Sequence, residues 1–215
     1  TWAQIRAASD SGSAANFWDV GDTKNITING TVGGTRFSNL SIDVYILGFN
    51  HNSSREGNNK IHFQIGKISG KSVCLVDSNY GNSTSSSGAF TMNTDWDNSG
   101  GWASSHMRKT ILGSDSSPTS PRSGTLLAAL PADLRAVMKP ITKYSDNTGG
   151  GSNSSSYVTS TTDYLPLLSE FEVQGSRSYA NSAEQNYQQQ YQYFKSGNSK
   201  VKYRHNATGS TADWW

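Results

Sequence analysis

Residues 40–49 read Leu40-Ser41-Ile42-Asp43-Val44-Tyr45-Ile46-Leu47-Gly48-Phe49. The start of this stretch alternates apolar and polar side chains, and its end is wholly apolar. Alternation is typical of a strand with one buried face, whereas a continuous apolar run is typical of a strand buried on both faces. We therefore expect a β-strand here that runs into the core of the protein.

Similar patterns predict further strands along the chain. They cover residues 23–31, 61–68, 73–76, 141–144 and 201–203, and the start of the segment 158–170. The dipeptide Asn29-Gly30 follows Ile26 and Ile28 at alternating positions. Asn-Gly between apolar strands is a strong signal for a two-residue hairpin turn, so we expect the first hairpin to turn there.

Helical spacing of apolar residues predicts the helices. Residues 1–9 and 102–112 each show it, and the clearest case is 126–137. Pro131 lies inside that last span, so we expect a break there or a new helix starting at it. The aromatic and Gln-rich stretch 187–194 is a candidate for a short helix.

The composition indicates one folded domain with long polar loops. The chain has 215 residues, of which 33% are hydrophobic, 16% charged and 11% aromatic. Disordered chains are usually charged and poor in aromatic residues, which is the reverse of this composition. No segment is a convincing linker, so we expect a single domain over residues 1–215. Its fold class is α+β, with a mixed or antiparallel sheet and two or more helices.

Charge and cysteine content exclude several classes of protein. The 18 Lys and Arg residues form no basic run and the net charge is +2, so we expect no nucleic-acid partner. Cys74 is alone, which excludes an intrachain disulfide and a two-cysteine metal site, and its apolar surroundings indicate a buried thiol. No apolar run has the length of a membrane span.

The four histidines are His51, His62, His106 and His205, and their spacings match no zinc signature. His51 follows the apolar strand directly, where it can cap a loop or contact a ligand. We expect no metal bound by histidine.

The loop that contains Asp95 and Asp97 resembles a calcium loop at first sight. Counted from Asn93, the sixth position is Asn98 rather than Gly and the twelfth is Ser104 rather than Glu, so an EF-hand is excluded. A single calcium ion in this loop stays open, and the alternative is that Asp and Asn form Asx-turns. No other cofactor is expected.

Catalytic patterns are weak in this sequence. There is no Gly-x-Ser-x-Gly motif, and the lone Cys74 in an apolar strand is a poor nucleophile. Glu170 and Glu172 would share one face of a strand, but the sequence does not give the carboxylate separation that a glycosidase needs. We expect that the protein is not an enzyme.

Aromatic side chains are candidates for stacking on sugar rings or for core positions. They are Trp18, Trp96, Trp102, Tyr179, Tyr187, Tyr191 and Tyr193. For Trp18 and Trp102 we favour the core. Trp96 lies between two Asp residues and is the best candidate for exposure. Tyr187 and Tyr191, four residues apart on the expected helix, would form an exposed ridge or contact a neighbouring subunit. The predicted ligand-binding residues are Trp96, Asp95, Asp97, His51, Tyr187 and Tyr191.

Several short segments, in order along the chain, resemble an uncharacterised domain family of gut Firmicutes and their phages. They are Trp18–Lys24, Ile46–His51, Gly101-Trp102, His106–Arg108, Leu130–Leu134, Leu167–Val173, Tyr193-Phe194 and Asp213–Trp215. In that family the Trp-Trp pair continues into Leu-Arg-Ser-Pro and an ending like that of C-type-lectin-like domains of the formylglycine-generating-enzyme type. The resemblance implies a C-type-lectin-like fold whose C-terminal part is missing after Trp215.

Three functions follow as hypotheses. The resemblance favours a non-catalytic recognition or adhesion module that binds a glycan or a host surface protein, outside the cell on a bacterial surface or phage particle. The alternative is a virion decoration or filament subunit, in which a neighbouring chain or second copy covers Trp214 and Trp215. A hydrolase is the least favoured.

Overall fold

The protein is α+β, with a mixed sheet as its largest element. The computed structural model describes residues 1–75, 92–93, 97–150, 152–205 and 207–212. The strands are β1 (Thr23–Val32), β2 (Thr35–Phe49), β3 (Ile61–Ile68), β4 (Lys71–Cys74), β5 (Ile141–Asp146), β6 (Val158–Asp163), β7 (Lys202–Arg204) and β8 (Ala207–Ala212).

The main sheet has six strands in the order β1-β2-β3-β4-β7-β8. The β4–β7 pair is parallel and the other neighbours are antiparallel, so of the two predicted alternatives, mixed or antiparallel, the sheet is mixed. The strands β5 and β6 form a separate antiparallel pair. The chain between β4 and β7 carries this small sheet and most of the helices.

Strand β2 is buried on both faces over its second half, as its sequence predicts. Val44 packs in one apolar cluster with Ile28 and Leu127, while Tyr45 and Leu47 pack in another with Val173 and Tyr191. Because successive side chains of a strand point to opposite faces, a continuous apolar run supplies both clusters at once.

The first hairpin turns at a different place from the one predicted. The strand β1 continues through Asn29-Gly30, where the register shifts at a bulge, and the turn lies at Gly33-Gly34. Both of these glycines have positive φ, 54° and 84°. A two-residue hairpin turn of the favoured type needs positive φ at both central residues, which Gly-Gly adopts more easily than Asn-Gly does.

The helices are short. They are α1 (Trp2–Asp10), α2 (Ser53–Glu56), α3 (Gly101–Ser104), α4 (Leu126–Ala129), α5 (Ala132–Arg135), α6 (Glu170–Gln174) and α7 (Gln192–Lys195), with a π-helix at Met107–Leu112 and 3₁₀ turns at Ala14–Asn16, Ser155–Tyr157 and Ser182–Asn186. The predicted break at Pro131 is confirmed, since α4 ends before it and α5 begins after it.

Two predicted helices differ from the structure. The span 102–112 is divided at Ser105 into α3 and the π-helix. In the span 187–194 only Gln192–Phe194 is helical, as the start of α7, and Tyr191 is its N-cap residue. Among the described residues no helix combines the length and apolarity needed to cross a membrane.

Candidate functional site

Two groups of polar residues stand out, one sealed inside the protein and one open to solvent. The sealed group, called the buried charge cluster below, joins residues from β3, β5, α2, α6 and the segments that follow β2 and precede α7. Its members are His51, Glu56, His62, Lys143, Glu172 and Tyr191. None of them is more than 7% exposed.

Lys143 is the cation at the centre of this cluster. Its ammonium donates to Glu172 Oε1 and lies 3.7 Å from Glu56 Oε1. Burial favours the neutral amine, but the two carboxylates outweigh it and raise the pKa of Lys143 above its ordinary value. Burial raises the pKa of Glu56 to about 7, against the pull of Lys143. Lys143 therefore stays charged and offsets the buried negative charge.

The two histidines of the cluster are neutral at physiological pH. Burial lowers the pKa of His51 to about 4, and it lowers the pKa of His62 well below the ordinary value. The His51 ring stacks on Tyr191 with 3.6 Å between centroids. His62 Nδ1 lies 3.0 Å from the Tyr191 hydroxyl, within hydrogen-bonding distance.

The cluster has a donor set that a metal could use, but its cation position is filled. Among the described residues, ligand atoms of His51, Glu56 and Glu172 lie within 4.8 Å of one another. The ammonium of Lys143 contacts or approaches both carboxylates, so a metal ion would have to displace it. The arrangement explains the cluster as a buried ion network that ties the small sheet to β3 and α6.

The open group lines a cavity of about 300 Å³, called the polar cleft below. Its walls are mainly amide, carboxylate and backbone groups of three loops, with two aromatic side chains. They include Asn98, Gly101, Trp102, Asp146, Gly149, Asn153, Tyr179, Asn181 and Glu184.

Hydrogen bonds within the loops hold the floor of the cleft. Asp146 Oδ1 accepts from the Thr148 amide at 2.9 Å, and Asp146 Oδ2 accepts from Asn181 Nδ2 at 2.8 Å. Asn181 Nδ2 also donates to the carbonyls of Ser152 and Ser154. Burial acts to raise the pKa of Asp146, but the hydrogen bonds from Thr148 and Asn181 outweigh it, so the pKa lies below its ordinary value. The floor is thus ionised and fixed before any ligand arrives.

Tyr179 stands at the rim of the cleft with 97% of its surface exposed. The loop that carries it is anchored by Glu170, whose carboxylate accepts from the backbone amides of Ser178, Tyr179 and Ala180 at 2.6, 3.0 and 3.0 Å. Three charge-assisted bonds of this kind hold the backbone while leaving the aromatic ring free.

Trp102 also lines the cleft, and its indole donates to Asp163 Oδ2 at 3.0 Å. Asp163 is fully buried and also accepts from Arg108 Nε at 2.7 Å. Trp102 is only half-buried, and part of its surface lines the cleft. It is therefore not only a core residue, which is the role favoured from the sequence.

Close backbone contact at Gly149 shapes the cleft and gives a first prediction. A Cβ at Gly149 would lie 1.7 Å from the carbonyl oxygen of Asn98, and its φ is +72°. Gly149→Ala should therefore cost about 1–3 kcal/mol of unfolding free energy from backbone strain, with the clash added. Gly150→Ala is the matched control, because its nearest contact is 3.4 Å away. Chemical denaturation of both variants is the measurement, and equal stabilities would contradict the described contact.

Four of the six residues predicted to bind a ligand lie in the described part of the chain, and these four do not share one site. Asp95 and Trp96 lie outside the described residues, as do Trp214 and Trp215. Asp97 is next to the cleft residue Asn98 and accepts the Ser99 amide at 2.8 Å, which is the Asx-turn alternative for that residue. His51 and Tyr191 belong to the buried charge cluster.

The expected exposed ridge of Tyr187 and Tyr191 is not what the structure shows. Tyr191 is 2% exposed, and Tyr187 stacks on Tyr144 with the guanidinium of Arg55 4.8 Å from its ring centroid. The reason is that the backbone is not helical from 187 to 190, so the two rings do not share one face.

No local pattern of the sequence connects the residues of the polar cleft. The sequence offers Tyr179 only as one of several aromatic candidates, and it gives no signal for a site at Asp146, Asn153 or Asn181. The Gly- and Asn-rich run that includes Gly149 indicates a loop, but nothing local shows that three loops meet.

No family model matches this sequence, and comparison with curated proteins and with solved structures finds no match in either.

Proposed function

We propose that this protein is a non-catalytic recognition module that binds a glycan in the polar cleft. One observation carries the proposal: a 97% exposed tyrosine is held by a carboxylate anchor at the rim of a preformed cleft of amides and carboxylates. Because the backbone that carries it is held in place, this aromatic ring can contact a ligand at little cost in ordering.

The chemistry of the cleft suits a carbohydrate. The apolar face of a sugar ring packs on an aromatic ring, which Tyr179 offers at the rim. Sugar hydroxyls both donate and accept hydrogen bonds, and carboxamide side chains such as Asn98 and Asn153 do the same. Because the floor residues Asp146 and Asn181 are already fixed, little ordering is left to oppose binding.

Two features support binding without turnover. Three groups whose pKa values are shifted by burial, His51, Glu56 and His62, lie in the buried charge cluster, where none of them is more than 7% exposed. In the cleft, Asp146 accepts bonds from Thr148 and Asn181, and Glu184 Oε1 accepts the Asp146 amide at 2.5 Å. These carboxylates are used to hold the loops.

The hydrolase alternative has one observation in its favour. Burial raises the pKa of Glu184, while hydrogen bonds lower that of Asp146, and both residues line the cleft. Opposite shifts in one cleft are the pattern of an acid and a base. Glu184 is only 8% exposed, which argues against contact with a substrate. Analysis of the bound glycan for cleavage products separates the two functions, since recognition predicts an unchanged glycan.

The finer parts of the proposal are a C-type-lectin-like fold and a place outside the cell, on a bacterial surface or phage particle. Both come from the resemblance of the ordered sequence segments, and the polar loops between β4 and β7 are compatible with a scaffold that presents a binding surface. The partner would be a glycan or a glycosylated surface protein. The alternative of a virion or filament subunit depends on Trp214 and Trp215, which lie outside the described residues.

A glycan array with the full chain tests the proposal, and Tyr179→Ala gives the decisive comparison. We expect the native chain to bind a defined set of glycans and Tyr179→Ala to lose at least about tenfold in affinity, equivalent to about 1.4 kcal/mol. Tyr179→Phe keeps the aromatic face and should retain most of the binding. Full binding by Tyr179→Ala, or no binding by the native chain, would contradict the proposal.

A further inference from the structure

A second cavity of about 300 Å³ lies beside the main apolar core. Its walls are mainly apolar, unlike those of the polar cleft. Strand β3, the segment 134–138 and the segment 164–168 contribute its walls. The residues that bear on the argument are Phe63, Ile65, Leu134, Val137, Leu165 and Leu167. Each of these is half-buried although apolar, so the cavity is connected to solvent rather than sealed in the core.

One edge of β3, which contributes to the cavity, has no described strand partner over residues 61–65. Strand β4 pairs with β3 only at Lys67 and Ile68, so residues 61–65 have β2 as a partner on one side and no described strand on the other. Residues of α1, α5 and the segment 164–168 line the cavity together with β3.

Charged residues at the cavity are all cationic. Arg6, Lys60, Lys139 and Lys202 line it, and no Asp or Glu is among the described lining residues. Arg6 and Lys139 share one carboxylate, that of Asp10, at 2.7 and 2.6 Å. Two of the four cations therefore share a single exposed acidic group.

Lys60 has no carboxylate partner within ion-pair distance among the described residues. Its ammonium donates to the carbonyl of Pro140 at 2.6 Å and to the carbonyl of Glu56. Burial lowers the pKa of Lys60, which Glu56 partly offsets. Arg6 and Lys139 share the Asp10 carboxylate, and within the described part of the chain Lys60 has only carbonyl acceptors, so positive charge is in excess here. An anionic group placed beside the three cations would offset that excess and give Lys60 a charge-assisted bond.

We propose that this cavity binds a single-chain carboxylate amphiphile, with its acyl chain along the apolar walls and its carboxylate against Arg6, Lys60 and Lys139. The apolar walls favour a hydrocarbon chain, and the excess of cations favours an acid over a neutral lipid. A volume of about 300 Å³ is at the lower end for ligand cavities, which fits one chain and not two.

The test uses hexadecanoate as the probe and hexadecanol as the matched neutral chain, both titrated calorimetrically into the full protein. We expect one hexadecanoate per chain and at least about tenfold weaker binding of hexadecanol. Lys139→Gln should bring the two affinities closer together, while Tyr179→Ala should leave both unchanged. Equal affinities for acid and alcohol in the native chain, or no binding of the acid, would overturn the proposal.

A second variant addresses the cavity itself. Leu167→Trp should fill part of the space and weaken hexadecanoate at least about tenfold, provided its circular dichroism matches the native chain. If it does not fold, the acid–alcohol comparison and Lys139→Gln still decide the question. Phosphatidylglycerol vesicles distinguish a free acid from a membrane lipid, since stable association with the vesicles in the absence of hexadecanoate would overturn the proposal.

Discussion

Replacing Lys143 with methionine will lower the free energy of unfolding by about 3–5 kcal/mol, the cost of leaving buried charge without its partner. Lys143 is 4% exposed and is the cation between Glu56 and Glu172, which are 3% and 0% exposed. Methionine fills a similar volume, so the loss comes from charge rather than from a cavity. Urea denaturation measures it, with the exposed Lys109→Met as the control, which we expect to change stability by less than about 0.5 kcal/mol.

The pH dependence identifies the cause of that loss. The pKa of Glu56 is raised from 4.5 to about 7, and Lys143 is the largest influence that holds it down. A carboxyl with a raised pKa stabilises the folded state fully below its unfolded value and loses that contribution as pH rises through the folded value. The deficit of Lys143→Met should therefore be larger above pH 7 than below 4.5. Adding Glu172→Gln should restore part of the stability, and a pH-independent deficit would contradict the role of the ion network.

Asp163→Ala is expected to cost about 3 kcal/mol and to weaken glycan binding as well. Asp163 is fully buried and accepts from Arg108 Nε, the indole of Trp102 and the hydroxyl of Thr161. Without Asp163, the Arg108 guanidinium keeps one nearby carboxylate, that of Asp115 at 3.8 Å. The Arg108 side chain is only 11% exposed, so water replaces the lost partner poorly. Trp102 also loses the bond that fixes its ring in the wall of the cleft.

Asp163→Asn is the matched control for this variant. The amide keeps one oxygen that can accept from Trp102 or Arg108, so the loss in stability and in glycan affinity should be smaller than for alanine. Thermal unfolding and glycan titration are measured on the same preparations. If Asp163→Ala keeps native stability and native affinity, the wall of the cleft does not depend on this carboxylate.

Local patterns in the sequence were sufficient for much of the fold. The apolar run at the end of β2 predicted burial on both faces, and Pro131 predicted the break between α4 and α5. Each of these depends on neighbours within a few residues, which is the range over which periodicity and proline geometry act.

The segment at Glu170 and Glu172 is a helix and not the strand on which the two carboxylates would share a face. Ser169 and Glu172 have the spacing of a capping box and begin the helix α6. As a result the two side chains diverge. Glu170 holds the Tyr179 loop, and Glu172 enters the buried charge cluster.

The candidate sites themselves are products of long-range packing. Lys143 and Glu172 are 29 positions apart and Asp146 and Asn181 are 35 positions apart, and no periodicity connects such pairs. The exposure of Tyr179 depends on a carboxylate nine residues earlier in the chain. These contacts require the three-dimensional structure, because no spacing rule brings distant loops together.

The central claim is that a glycan binds in the polar cleft, and amide chemical-shift mapping tests it most directly. The isotope-labelled protein is titrated with the strongest glycan from the array. We expect the largest changes at the amides of Asn98, Gly149, Asn153 and Tyr179, with the buried charge cluster unaffected and the glycan recovered intact. Changes confined to another surface, or the absence of saturable changes, would contradict the account.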